Sequence, residues 1–301
     1  MRAPADPSIH IRIITHNIRY ATKHPFEGEE PWHLRKQRLV NELRFHTRYN
    51  LGAFICLQEA LHQQLVDVMS GLNHLVTDEY KWAYIGQGRD DGRTAGEYSP
   101  ILYRPAIWDL RGAETIWLSE TPDRPSKGWD AGLPRILTTG HFYDRKSCSG
   151  FVVMNTHLDD QGSKARLESA KLIISRIKSL SSFPRIAPGS ESHSWPVALS
   201  GDFNSEPSED AYQLLNGPES PVQDLRDLVA PEEWYGQCLT YTGFGHGEEP
   251  EKRIDFLFVG PKAYQGLNVE SYAVLENRFE DGVYISDHRA VVGDIALAAG
   301  G

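Results

Sequence analysis

An acid and an amide stand two residues apart where an apolar strand runs out: Asp202 and Asn204, in Ser200-Gly201-Asp202-Phe203-Asn204-Ser205-Glu206-Pro207. In extended backbone, residues i and i+2 point to one side, so the pair is expected to face one substrate. A carboxylate that orients a water, beside an amide that donates to a developing oxyanion, suits attack at phosphorus. Taken alone, the octapeptide is also ordinary turn chemistry. Its meaning depends on what else reaches the same place.

Other residues of the same kind follow the same rule of position. Asn17, Glu59, Asn155 with His157, Asp255, and Asp287 with His288 each lie at or beside the end of an expected apolar strand. Buried carboxylates must be paired, protonated or bound to a cation, so this many acids and amides leaving core strands are costly unless they converge. Asn17, Glu59 and Asp287 form an oxygen-ligand set suited to magnesium, which takes one or two carboxylates and keeps several waters. Manganese is the expected substitute. His288 is the natural proton carrier, since an imidazole titrates near neutrality, and Asp255 is placed to orient it. His157 and Asn155 are expected to donate to phosphate oxygens. Arg89 and Glu97, in a Gly-rich segment after a strand, are expected to line the pocket and select substrate.

The elements that must hold these residues are legible from pattern. Strands are expected at Ile9–Ile13, Ala53–Leu57, Lys81–Ile85, Ser99–Tyr103, Thr115–Leu118, Ile136–Phe142, Phe151–Thr156, Trp195–Leu199, Ile254–Val259, Val269–Leu275 and Val291–Leu297. Helices are expected at Trp32–Phe45, His62–Leu72, Gly162–Ser179 and Ser208–Leu215, the third burying Leu167, Ala170, Ile174 and Ile177. Strands outnumber helices, and two long helices cannot cover both faces of one wide parallel sheet. The expected fold is therefore an α/β, four-layered α/β/β/α sandwich: two packed mixed β-sheets flanked by helices. A single domain over 1–301 is expected, with a Ser-, Pro- and Gly-rich surface insertion at 181–193.

Bulk composition narrows the partners. The net charge of −10 argues against tight nonspecific binding to nucleic acid, and a soluble phosphoester is the expected substrate. No apolar run is long enough to span a bilayer. Three cysteines, Cys56, Cys148 and Cys238, without a Cys-x-x-Cys pair exclude a disulfide framework and a zinc site of usual spacing. That usage, with no readable secretory signal, leads to a cytoplasmic expectation. Oligomeric state is not readable.

Six ordered blocks carry a family resemblance: Thr15-His16-Asn17-Ile18-Arg19, Leu57-Gln58-Glu59-Ala60, Asn155-Thr156-His157-Leu158, Gly201-Asp202-Phe203-Asn204, Arg253-Ile254-Asp255-Phe256 and Ser286-Asp287-His288. Together they resemble the signature of the endonuclease/exonuclease/phosphatase superfamily, built on the deoxyribonuclease-I-like fold. The resemblance implies a magnesium site at Asn17, Glu59 and Asp287, phosphate contacts from His157 and Asn155, a water oriented by Asp202, and a transition state stabilised by Asn204. His288 paired with Asp255 is the implied second acid/base, and whether Asp202 or His288 is the base stays open. The loop segments Gly86 to Tyr103 and Trp117 to Pro122 resemble a poorly characterised branch. Arg19 stands where the apurinic-site nucleases of the family carry an acid, so that branch does not fit. The implied function is metal-dependent hydrolysis of a phosphomonoester or phosphodiester; a nuclease with the same site and a non-catalytic phosphate-binding module are the alternatives.

Overall fold

The computed structural model of the chain describes residues 8–180, 195–246, 250–262 and 264–298. The insertion expected at 181–193 lies outside the described residues. In chain order, the first half holds β1 (Ile9–Asn17), α1 (Trp32–Thr47), β2 (Phe54–Gln58), α2 (His62–Asn73), β3 (Ala83–Ile85), β4 (Ile101–Tyr103), β5 (Trp108–Trp117) and β6 (Ile136–Asp144). The second half holds β7 (Gly150–His157), α3 (Ser163–Ser179), β8 (Val197–Asp202), α4 (Asp210–Asn216), β9 (Gln223–Asp224), β10 (Trp234–Gly236), β11 (Asp255–Gly260), β12 (Leu267–Val274) and β13 (Val291–Leu297).

Two mixed sheets result, in the orders β10-β12-β13-β1-β2-β4-β3 and β5-β6-β7-β8-β11-β9. Side-chain alternation sorts each strand between two layers. Ile11, Ile13, Phe54, Cys56, Phe151, Val153, Ala198, Leu257, Val259 and Ile295 fill the space between the sheets. Ile14, Ile55, Leu57 and Val292 turn outward onto Leu39 and Leu43 of α1 and Leu65, Val68 and Leu72 of α2. On the far side Val152, Met154, Leu199, Phe256 and Phe258 meet Ala170, Ile173 and Ile177 of α3 and Ala211, Tyr212 and Leu215 of α4. Each Val, Leu, Ile, Met or Phe among them withdraws apolar area worth about 1.5–3 kcal/mol when fully buried, which seals the four layers.

Strand sense explains why chemistry collects at one edge. β1 and β2 run parallel, so both end there, while antiparallel β13 begins there. The second sheet repeats this with parallel β7 and β8 and antiparallel β11. His157 and Asp255 are both in register with Asp202, one on each side.

Three expectations need correction. The buried face of α3 is Ala165, Ser169, Ala170, Ile173 and Ile177; Leu167 and Ile174 are only half-buried, because the helix docks rotated from the face first assigned. β5 begins at Trp108 rather than Thr115, its first half being a half-exposed edge strand with charged residues and Gly112 that mask the alternation. β8 runs on through Asp202.

Candidate active site

Asp202 is the last residue of β8 and is buried. Gly201 before it lies so close to β7 that a Cβ would sit 2.3 Å from the Thr156 carbonyl oxygen, so no larger residue fits without moving a strand. Asn204 does not continue the strand: its φ is 45°, and its N–H donates to Asp202 Oδ1 at 2.9 Å. The two side chains thus share the cavity through an Asx turn rather than through strand alternation. Arg19 and Glu59 are also in the left-handed region, at φ 55° and 58°. Non-glycine residues adopt it at a cost, and such strain gathers at functional sites.

Asp202 Oδ2 is the meeting point. It accepts from Asn17 Nδ2 at 2.9 Å and stands 3.5 Å from His157 Nε2 and 3.7 Å from His288 Nε2. His288 Nδ1 is 2.8 Å from Asp255 Oδ2, and Asn204 Nδ2 is 3.1 Å from His157 Nε2. Glu97 Oε2 lies 3.7 Å from His157 Nδ1. Two histidines therefore converge on one carboxylate with a second carboxylate behind each.

Burial and the charge of Asp255 push the Asp202 carboxyl above its usual range, against the pull of His288 and His157. For His288, burial favours the neutral ring, but Asp255 and Asp202 outweigh it and hold the imidazole well above its ordinary value. A carboxyl raised above its usual range thus faces an imidazole also raised above its own.

The first sheet brings different groups. Glu59 Oε1 accepts from Asn17 Nδ2 at 2.9 Å and Oε2 from the Tyr20 N–H at 3.1 Å. Against burial, His157, Arg19 and these hydrogen bonds hold Glu59 at about 2. Asp287 is pushed upward by burial and, after the opposing pull of His288, by the Glu59 charge. A half-buried and a buried carboxylate that repel each other fit a divalent cation, which relieves both burdens. Asn17 Oδ1 accepts from the Arg19 N–H at 3.0 Å, so Asn17 orients the acids with its nitrogen. Asp202, Asp255 and His288 also have ligand atoms within 4.8 Å of one another; the 2.8 Å His288–Asp255 contact suits this cluster to holding a proton as well as a cation.

Asn17, Glu59, His157, Asp202, Asn204, Asp255, Asp287 and His288 are brought together; Asn155 is not. It points between the sheets one layer below His157, fully buried, where Oδ1 accepts from Gln58 Nε2 at 2.7 Å and Nδ2 donates to the Leu57 and Pro100 carbonyls at 2.8 and 2.9 Å. Its hydrogen-bonding capacity is spent on joining the sheets. Arg89 lies behind the cavity wall, its guanidinium bound to both Glu97 oxygens at 2.7 and 2.8 Å, while Glu97 itself lines the cavity.

The cavity measures about 630 Å³. Its lining includes Arg135, Arg166, Tyr241 and Lys252, none of which was singled out in the sequence. They come from loops and a helix start without motif spacing. Only the polar character of each residue marked them, and that is shared with the rest of the surface.

Residues 14–288 match the model of the Endonuclease/Exonuclease/phosphatase family. Among solved structures, the chain is 32% identical to an endonuclease/exonuclease/phosphatase from Bacteroides vulgatus, covering 96% of this chain and 99% of that one with a TM-score of 0.80. It is 30% identical to a mannosyl-6-phosphatase of Bacteroides thetaiotaomicron, over 95% of this chain and 99% of that one, at a TM-score of 0.78. A probable RNA exonuclease of Schizosaccharomyces pombe is 25% identical over 261 residues, 81% of this chain and 45% of the relative. The chain spans less than half the length of the curated relatives it matches.

Proposed function

The chain belongs to the endonuclease/exonuclease/phosphatase family of phosphoester hydrolases, and we propose that it is a magnesium-dependent phosphatase acting on a small, soluble phosphomonoester. The observation that carries this reading is Asp202 Oδ2, set between Asn17 Nδ2, His157 Nε2 and His288 Nε2 at the wall of a cavity that also holds Glu59 and Asp287. Magnesium at Glu59 and Asp287 would neutralise phosphoryl charge.

The chain's own groups divide the remaining work. Asp202, whose basicity is raised, takes the proton of a water as that water's oxygen attacks phosphorus. The bond from phosphorus to the ester oxygen breaks on the opposite side, and the leaving oxygen takes a proton from solvent. His288, charged and held by Asp255, donates from Nε2 to a phosphoryl oxygen and steadies the transition state. Asn204 and His157 donate to the neighbouring oxygens. Phosphate-monoester hydrolysis is among the slowest uncatalysed reactions, so several converging donors are in keeping with the task.

Near-complete coverage of the mannosyl-6-phosphatase supports a monoester, and the net charge of −10 disfavours a polyanion. A nuclease reading is favoured by the names of the 25% identical relatives, a probable RNA exonuclease and nocturnin. Phosphate release from p-nitrophenyl phosphate and mannose 6-phosphate, and cleavage of an RNA oligonucleotide followed by gel, each with magnesium or with chelator, separate them. Release from the monoesters that stops on chelation and in His288→Ala is expected. Turnover surviving both treatments would sink the mechanism, and cleavage of RNA alone, falling steeply with salt, would select the nuclease.

A further inference from the structure

Beyond the phosphate centre, the cavity has two unlike walls. One comes from the segment after β1: Phe26 is 63% exposed, and the Arg19 guanidinium lies between the Tyr20 ring at 4.3 Å and the Phe26 ring at 4.7 Å. The other comes from the segments that precede β6 and follow β7 and β8. There Arg135 Nη2 donates to Asp160 Oδ1 and Nε to Asp159 Oδ2 at 3.2 Å. Arg166 donates from Nη1 to the Asp159 carbonyl at 3.0 Å and from Nη2 to Glu209 Oε1 at 3.1 Å. Glu209 Oε2 accepts the Glu206 N–H at 2.6 Å.

This second wall carries no surplus positive charge. Its two arginines are tied to fixed acids, and Asp160, Glu206 and Glu209 outnumber them. A second phosphate arriving there meets net negative charge, which is a repulsive selection against polyanions. The wall nevertheless keeps polar capacity. Arg135 lines the cavity but is only 5% exposed, and its guanidinium holds Asp159 and Asp160. Asp160, by contrast, is 51% exposed and held by one oxygen only. Arginine–carboxylate pairs in a cavity also lined by aromatic rings match a ring with hydroxyls on its edge and C–H groups on its face.

We infer that Asp160, Glu206, Arg135 and the Arg166–Glu209 pair bind the alcohol portion of the substrate as a neutral polyhydroxylated ring and reject a polyanionic one. This rests on the phosphomonoesterase reading above and adds the group that the ester carries.

Two readouts keep the two readings separable. With active protein, Asp160→Asn and Glu206→Gln should raise the KM ratio of mannose 6-phosphate to p-nitrophenyl phosphate about fivefold, the size expected for one lost hydrogen bond. With the Asp202→Asn protein, which needs no turnover, calorimetric titration of mannose 6-phosphate in magnesium should show the same loss when either wall substitution is added. Titration with inorganic phosphate should show none. An unchanged KM ratio and unchanged titration overturn the wall's role, as does a loss of equal size for inorganic phosphate. A difference in titration without turnover of any monoester supports the wall while overturning the phosphatase.

Discussion

The two sheets are built alike and equipped differently. Strand for strand, β12-β13-β1-β2-β4-β3 in one has the same succession of pairing senses as β9-β11-β8-β7-β6-β5 in the other: antiparallel, antiparallel, parallel, antiparallel, antiparallel. Asn17 closes β1 where Asp202 closes β8, and the two touch at 2.9 Å. Glu59 follows β2, and His157 ends β7. In the first sheet the shared edge thus offers an amide and carboxylates suited to a cation. In the second it offers a carboxylate and an imidazole suited to moving a proton. Equivalent topology puts groups in one place; their chemistry then differs, and the proposed roles divide with it. His288, from the segment before β13, bonds to Asp255 of the other sheet, so neither sheet holds a complete set.

Substitutions on either side of this division should differ in kind, and the largest losses belong to the proton-handling sheet. Asp202→Asn should lower kcat about 10⁴-fold in a phosphate-release assay, with circular dichroism unchanged. Asp255→Asn should cost about 10²-fold in kcat, because an amide does not stabilise the His288 imidazolium as a carboxylate does. At the seam between the sheets, Asn155→Ala removes one hydrogen bond from Gln58 Nε2 and one from each of the Leu57 and Pro100 carbonyls. It should cost about 2–3 kcal/mol in urea unfolding while KM stays nearly constant; a large rise in KM instead would place Asn155 on the substrate. On the cation side, Glu59→Gln should raise the magnesium concentration for half-maximal activity about tenfold, read by metal titration. If Glu59→Gln changed kcat without changing the metal requirement, the division between the sheets would fail.

The smallest effect is a pH dependence beside the second sheet. Burial opposes charge on Asp159, but the Gly162 and Gly132 N–H groups and Arg135 overcome it and hold the carboxyl below its usual value. A depressed carboxyl stabilises the fold above its unfolded pKa of about 3.9, and the contribution fades as pH falls through the folded value. The urea-unfolding difference between the parent and Asp159→Asn should therefore be about 1 kcal/mol at neutral pH and shrink below about pH 4. A difference that grew toward acid would refute the sign.

How much of this was readable in advance varies with the cause. The strand-end acids were legible because short apolar runs such as Phe54–Leu57 and Val197–Leu199 stop at polar residues, and a buried charge needs a reason. The expected sandwich followed from the excess of strands. Asn155 misled because it shares a face with His157, and periodicity says nothing of depth: one lies at the cavity, the other a layer below. Arg135 and Arg166 were illegible because an arginine in a loop or a first helical turn looks the same whether it meets solvent or a cleft. The first half of β5 was hidden by residues that suit an exposed edge. The buried face of α3 was misjudged by a rotation that only its docking partner sets.

Local sequence decided which residues end strands, where the chain must turn, and which chemistry each end carries, because alternation, glycine at Gly201 and apolar runs act over a few residues. It could not decide which oxygens meet. Asn17 and Asp202 are 185 residues apart, and His288 and Asp255 are 33 apart on different sheets. Their contact depends on strand register and on the packing of one sheet against the other. Those are properties of pairing between distant segments, and only the tertiary structure fixes them.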